Sequence, residues 1–269
     1  MTQAALVEEC WNSGTPVPVD ILEAIIDGLD QGKDRAAVRQ GDAWVVNTWV
    51  KKAILAYFRQ TGCVADISGV RPSYDKVPLK CADWSADQFK NAGFRLVPGA
   101  IVRRGAFIAP SCVIMPSFIN IGAFVDSTTM IDNMAYVGSC AQVGKNCHIS
   151  GAAGLGGVLE PLQAAPVIVE DDCFIGAGVQ IAEGVRIGQG SVIGLGTQIS
   201  ASTKIIERDT GKIHHGYVPP YSVVIPGAYT VPNALQLSIQ CAIIIKTVDA
   251  NVRAKTAPND LLRGLDGHT

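Results

Sequence analysis

Residues 101–155 read IVRRGAFIAPSCVIMPSFINIGAFVDSTTMIDNMAYVGSCAQVGKNCHISGAAGL, and an apolar side chain returns there every six positions. The series is Ile101, Phe107, Val113, Ile119, Val125, Ile131, Val137, Val143, Ile149 and Leu155. It pauses over a loop at 156–166, which holds Gly156, Gly157, Pro161 and Pro166, and resumes at Val169, Ile175, Ile181, Ile187, Ile193, Ile199 and Ile205. A helix repeats at three and four and a lone strand at two; a period of six suits a short strand plus a turn. Three such sides close one coil of a prism with the aliphatic ladder inside. Compact residues such as Ala123, Thr129, Ala141 and Thr197 follow four positions later, and the position directly after the ladder residue is often Gly, Asn, Asp or Ser. Coils of this kind stack about 4.8 Å apart through parallel backbone hydrogen bonds, and one rung alone is unstable. The expected fold is mainly β, a parallel β-helix of hexapeptide repeats, with three coils from Ile101 to Gly154 and two from Val169 to Lys204.

Outward from this stretch, residues 1–95 read as a helical N-terminal domain. Asp20 to Leu29 and Asn47 to Arg59 carry helical spacing of apolar residues, and Ser85-Ala86-Asp87-Gln88 is a capping box. The repeat domain covers 96–216. A C-terminal part, 217–269, has strand patterns at Tyr221 to Ile225 and Leu237 to Ile245 and a helix at Asn259 to Arg263. That tail is placed to cover the open end of the prism, whose unpaired edges would otherwise template aggregation.

The chain of 269 residues is 48% hydrophobic and 17% charged, enough apolar content for a core and too much for disorder. A net charge of -2 without any block of like charge gives no field for nucleic acid or anionic lipid. The start, MTQAALVEECW, lacks a basic region followed by an apolar run, and the apolar run from Cys241 to Ile245 is far too short to span a bilayer. No membrane association and a cytoplasmic location are expected. Eight cysteines are scattered without a CxxC pair, which reads as reduced core thiols rather than a disulfide framework or zinc site.

The repeat by itself permits a passive scaffold. It also permits an acyltransferase, the commonest use of such prisms, in which an acyl thioester of coenzyme A lies in the groove between neighbouring prisms of a homotrimer. A zinc enzyme of carbonic anhydrase type needs three histidines around the metal, and of His148, His214, His215 and His268 only His148 lies in the coils. No metal is expected. His148 and the His214-His215 pair are candidate bases, with a satisfied or solvated histidine as the alternative for each.

Several longer segments carry a family resemblance. VPGAIVRRGAFIAP (97–110), MPSFINIGAFVD (115–126), VGSCAQVGKNCHISG (137–151), GGVLEPLQA (156–164), VEDDCFIGA (169–177), WVVNTWVKKAILAYFR (44–59), DKVPLKCADW (75–84) and CAIIIKTVDANVRAK (241–255) resemble the tetrahydrodipicolinate N-succinyltransferases. The likeness covers nearly the whole chain. It implies a left-handed coil, a hand opposite to the usual parallel crossover. It also implies transfer of a succinyl group from succinyl-coenzyme A to the amino nitrogen of a cyclic dicarboxylate on the lysine and diaminopimelate route. Acyl-coenzyme A would be a co-substrate, and no cofactor would be bound permanently. By the same resemblance Asp132, in TMIDNM, is the candidate base and a substrate contact, although it also suits a turn residue of its rung, as Asp126 does. Arg95, in FRLVPG, is the candidate carboxylate clamp. Arg103 and Arg104 read as exposed, solvated cations, and Lys204 and Lys246 are candidates for the coenzyme A phosphates.

Two departures fall where the family shapes its site. The chain has GAGVQ where the family typically has GARSE, so Gly178 and Gln180 replace an arginine and a glutamate; Asn133 and Met134 replace a threonine-tryptophan pair. A succinyl donor carries a terminal carboxylate, whose burial without a cation is costly. If the lost arginine faced that group, an acetyl donor would be preferred, as in a relative that serves tabtoxin, an antibiotic. If it faced solvent or a neighbouring subunit, succinyl transfer would survive. Neutral Gln180 cannot act as a base, which leaves Asp132.

Overall fold

The computed structural model describes residues 1–41, 43–67, 72–231 and 237–263. Its centre is a stack of two-residue strands on three parallel faces, and each strand pairs with the one a full coil later. Face 1 runs Ile101–Val102, Phe118–Ile119, Tyr136–Val137, Gly154–Leu155, Gln180–Ile181 and Gln198–Ile199. Face 2 runs Phe107–Ile108, Phe124–Val125, Gln142–Val143, Ile168–Val169, Arg186–Ile187 and Tyr217–Val218. Face 3 starts at Arg95–Leu96 and continues through Val113–Ile114, Met130–Ile131, His148–Ile149, Phe174–Ile175 and Val192–Ile193 to the long strand Ser222–Thr230. The second residue of each short strand points inward. Ile119, Val125, Ile131, Val137, Val143, Ile149, Leu155, Ile175 and Ile187 are all sealed from solvent or nearly so, and each such side chain contributes roughly 1.5–3 kcal/mol of burial.

The repeat reading needs three corrections. In the first coil the inward residues are Val102, Ile108 and Ile114, while Ile101 is 39% exposed and Phe107 and Val113 face outward. That coil is one residue shorter than those below it: Phe107 is in register with Phe124, whereas Phe124 is in register with Gln142. The missing residue is at the corner made by Met115, Pro116 and Ser117, where the next coil uses Asp132 to Ala135. Secondly, Leu155 and Val169 share one coil, so the loop between them bulges from a corner and each face has six rungs or more. Thirdly, the chain at Ile205 leaves the stacked faces, although the Ile205 side chain stays in their core. Ile205–Glu207 pairs with Ser238–Thr247 and with Ile213–His214, and the last coil is closed instead by Val218 and Val224.

Among the described residues six helices accompany the stack: α1 (Gln3–Ser13), α2 (Val19–Asp30), α3 (Thr48–Gln60), α4 (Ala86–Ala92), α5 (Ala250–Lys255) and α6 (Pro258–Arg263). The capping box at Ser85 and Gln88 is formed. The N-terminal region also carries two antiparallel hairpins, Ala37–Gln40 with Ala43–Val46 and Val64–Asp66 with Ser73–Asp75, which the helical reading lacked because their strands are too short to show a period. Helices α1, α2 and α3 share a core with Ile121 and Cys140 at the corner between faces 1 and 2. Face 3 is extended by the antiparallel pair Ser222–Thr230 and Ser238–Thr247, and α6 packs Leu261 against Val192 and Val223.

Arg103 and Arg104 depart from the solvated reading. Arg104 reaches Glu23 and Asp27 of α2, both at 2.6 Å, and Arg103 reaches Asp75 at 2.7 Å and Asn120 at 2.9 Å. These contacts tie the N-terminal region to the first two coils, so both cations are structural. The thiols of Cys10, Cys112, Cys140, Cys147, Cys173 and Cys241 are buried and free. Desolvation pushes Cys112, in the prism, up to about 11 and Cys140, under the N-terminal helices, up to about 12.

Candidate active site

The corner between faces 3 and 1 brings most of the expected residues together. Four successive turns there pass through a left-handed backbone position, Met134 (φ 60°), Ala152 (56°), Gly178 (67°) and Gly196 (69°), stacked in that order. Backbone bonds run down the stack: Met134 N to Pro116 O, Ala152 N to Asn133 O, Gly178 N to Gly151 O and Gly196 N to Ala177 O, all between 2.7 and 3.0 Å. The glycine at 178 relieves the steric penalty of this conformation, and a Cβ built on it would meet nothing within 4 Å. Met134 accepts the strained position and is 76% exposed.

Asp132 opens the turn above. Its Oδ1 accepts the Asn133 amide at 2.7 Å, the same contact that Asp126 makes with Ser127, so both carboxylates brace their turns. Asp132 differs in its second oxygen. Oδ2 lies 3.7 Å from His148 Nε2, on the next rung of face 3, and the His148 ring in turn packs on Phe174. The pair is partly open to solvent, whereas His214 is held by Glu207 at 2.7 Å and His215 is exposed elsewhere. Hydrogen bonds from Thr210 and His214 hold the Glu207 carboxyl below the usual range. His268 lies outside the described residues.

Across the corner, on face 1, Gln180 is satisfied at both ends of its amide. It accepts from Tyr136 Oη at 2.8 Å and donates to Ala152 O at 3.2 Å. A carboxylate could take the first bond but would turn a lone pair towards the Ala152 carbonyl. The contact spans two rungs because Gly154 lies between: a Cβ there would overlap both the Tyr136 ring and Gln180 Oε1. The six-residue period singles out neither Tyr136 nor Gly154, because their contact crosses from one coil to another.

Tyr136 also borders a cleft of about 520 Å³ lined by Phe118, Asn120, Gly138, Ser139 and, from the loop, Gly157, Leu159 and Glu160. The loop is held from α3: Lys51, wholly buried, donates to the carbonyls of Pro161, Leu162 and Ala164 at 3.0, 3.0 and 2.8 Å. Nothing in the sequence separates Lys51 from its neighbour Lys52, which is partly buried and pairs with Glu8 of α1.

The remaining candidates sit further off. Arg95 is exposed on face 3 in the outward column of Val113, Met130 and His148, two rungs above Met130, about 10 Å at the usual spacing. Lys204 packs its ammonium 3.9 Å over the Tyr229 ring, and Lys246 is in register with Val223 at the foot of face 3. Neither touches the Asp132 corner.

Three stacked faces of two-residue strands, with a left-handed turn repeated down one corner, define a hexapeptide-repeat protein. A model of the hexapeptide repeat of succinyl-transferases matches residues 166–201, and a model of the tetrahydrodipicolinate N-succinyltransferase N-terminal region matches residues 5–60. The chain is 53% identical to the 2,3,4,5-tetrahydropyridine-2,6-dicarboxylate N-succinyltransferase of Ehrlichia ruminantium, over 96% of this chain and 94% of that one. It is 52% identical to that of Cupriavidus necator, over 98% and 100%, and 56% identical to that of Gluconobacter oxydans, over 91% and 89%. The chain belongs to the tetrahydrodipicolinate N-succinyltransferase family.

Proposed function

We propose that the protein is an acyl-coenzyme A-dependent N-acyltransferase that acts on tetrahydrodipicolinate or a closely related amino dicarboxylate in the lysine and diaminopimelate route. Full-length identity above half to relatives of that activity carries the reading. Asp132 is the base: water adds across the C=N bond of the cyclic imine to give an amine N–H, and with Oδ1 engaged in the turn, Oδ2 takes that proton as nitrogen adds to the thioester carbonyl. The coenzyme A thiolate then leaves, and the proton is released to it or to solvent. Arg95 holds a substrate carboxylate, and Lys204 and Lys246 meet the donor phosphates.

The donor is succinyl- or acetyl-coenzyme A. The glycine at 178 supports the acetyl reading: among the described residues nothing lies within 4 Å of its Cβ position to meet a donor carboxylate. An acetyl-using role in tabtoxin-type antibiotic biosynthesis follows from that second reading. We take the coils as left-handed, like those of the family, and the assembly as a homotrimer. Ile101, Phe118 and Tyr136, each between 37% and 39% exposed along face 1, support an interface there with a second copy. Residues 1–95, 96–216 and 217–269 serve as helical, coil and covering domains. Among the described residues no helix is long and apolar enough to cross a membrane, in keeping with a cytoplasmic enzyme. Thiol release with tetrahydrodipicolinate and each donor in parallel tests the function; release from neither would reject it.

A further inference from the structure

We infer that Lys51 is a positioning residue whose buried ammonium latches residues 161–164 to α3 and so fixes the loop wall of the cleft on face 1. Its side chain leaves α3 among Val50, Ala53, Ile54 and Tyr57, all buried in the N-terminal core, and ends on three backbone carbonyls. An ammonium has three N–H donors and no acceptor, so each donor is used once. Among the described residues no carboxylate lies within ion-pair distance of it. A buried charge needs hydrogen bonds or a counter-ion, and here the loop supplies all of them.

The arrangement also explains the loop. Residues 156–166 form neither helix nor strand, and their ties to the prism are few: Gly156 N to Ile181 O and Val158 N to Ser139 O. Between Val158 and Val167 the hydrogen bonds that tie the chain to the rest of the molecule come from Lys51. The latch begins one residue after Glu160, so it sets where Leu159 and Glu160 stand against Ser139 and Tyr136. Leu159 packs on the same N-terminal cluster that carries Lys51, which makes the wall an extension of α3 rather than of the coils. That the wall bounds the acceptor site rests on the proposed acyl transfer; the latch does not.

Lys51→Met keeps the stem and removes the donors. Hydrogen exchange followed by mass spectrometry is expected to quicken about tenfold or more in peptides covering 157–165 while the coil peptides of 101–155 are unchanged. With the same protein, KM for tetrahydrodipicolinate is expected to rise about tenfold with kcat held within a few-fold, and Lys51→Arg to recover part of the loss. Unchanged loop exchange would overturn the latch. Faster loop exchange with an unaltered KM would overturn the wall role. A wild-type enzyme that transfers no acyl group would remove the proposed function and the wall role together, with exchange still deciding the latch. Should Lys51→Met fail to fold, Lys51→Gln, which retains two N–H donors, takes the same two measurements.

Discussion

Asp132 Oδ2 stands 3.7 Å from His148 Nε2 while Oδ1 is bound to the Asn133 amide, so one carboxylate has a structural oxygen and a free one. Asp126 makes the same turn contact, which provides an internal control. Asp132→Asn is expected to lower kcat by about 10²–10⁴ with the oligomer intact. Asp126→Asn should cost about 1 kcal/mol or less of stability and leave kcat near wild type. Steady-state assays with chemical denaturation decide it; wild-type turnover in Asp132→Asn would remove that residue from the mechanism.

Gly178 sits in a left-handed turn with open space about it, so an arginine there fits sterically at a backbone cost of roughly 1–2 kcal/mol. Gly178→Arg is expected to shift the ratio of succinyl to acetyl transfer at least about tenfold towards succinyl, the effect of about 1.4 kcal/mol of charge pairing. Competition between the two donors reads it directly. A ratio that does not move places the donor carboxylate away from this corner.

The Tyr136 to Gln180 bond depends on a neutral amide facing the Ala152 carbonyl. Gln180→Glu should keep the Tyr136 contact and lose the other, at a cost of about 1–3 kcal/mol where the carboxylate faces that oxygen. Thermal unfolding should show a lower midpoint for Gln180→Glu than for Tyr136→Phe, which only removes a donor at the surface. The reverse order would mean that the amide has turned over.

Burial fixes the expected thiol chemistry. With Cys112 near 11 and Cys140 near 12, thiolate at pH 8 is on the order of a thousandth or less, so iodoacetamide should modify exposed Cys63 and spare both. The same shifts set a sign for stability. Unfolded thiols titrate near about 8.5 while these hold their protons, so the folded chain binds more protons above that pH. Their contribution is complete below about pH 8.5 and is lost as pH rises towards 11 and 12, which denaturant melts across that window will register.

Arg104 joins the first coils to α2 through two carboxylates. Arg104→Ala is expected to lower stability by about 1–2 kcal/mol, more than a typical surface ion pair, because both acids lose one partially buried partner. An unchanged unfolding midpoint would show that the N-terminal helices are held by apolar packing alone.

The sequence by itself determined the stack. A six-residue period has one economical solution, and the ladder from Ile119 to Ile199 followed from it; α2, α3 and the capping box at Ser85 followed from helical spacing and cap residues. The period failed only where length changed: at Met115-Pro116-Ser117, where one residue is absent, and at Ile205, where the chain leaves the prism. A periodic pattern reports which side chains return to one side, and it cannot report which corner has lost a residue. The resemblance supplied Asp132, Asn133, Met134, Gly178 and Gln180 as separate positions. Only the tertiary structure decided that they share one corner, because residues a coil apart in the chain become neighbours through the stacking of backbones. It alone decided the pairing of Tyr136 with Gln180 across Gly154 and the burial of Lys51 beneath a loop more than a hundred residues away. Hydrogen bonds of that range leave no period in the sequence; they exist only once the coils and α3 have been brought together.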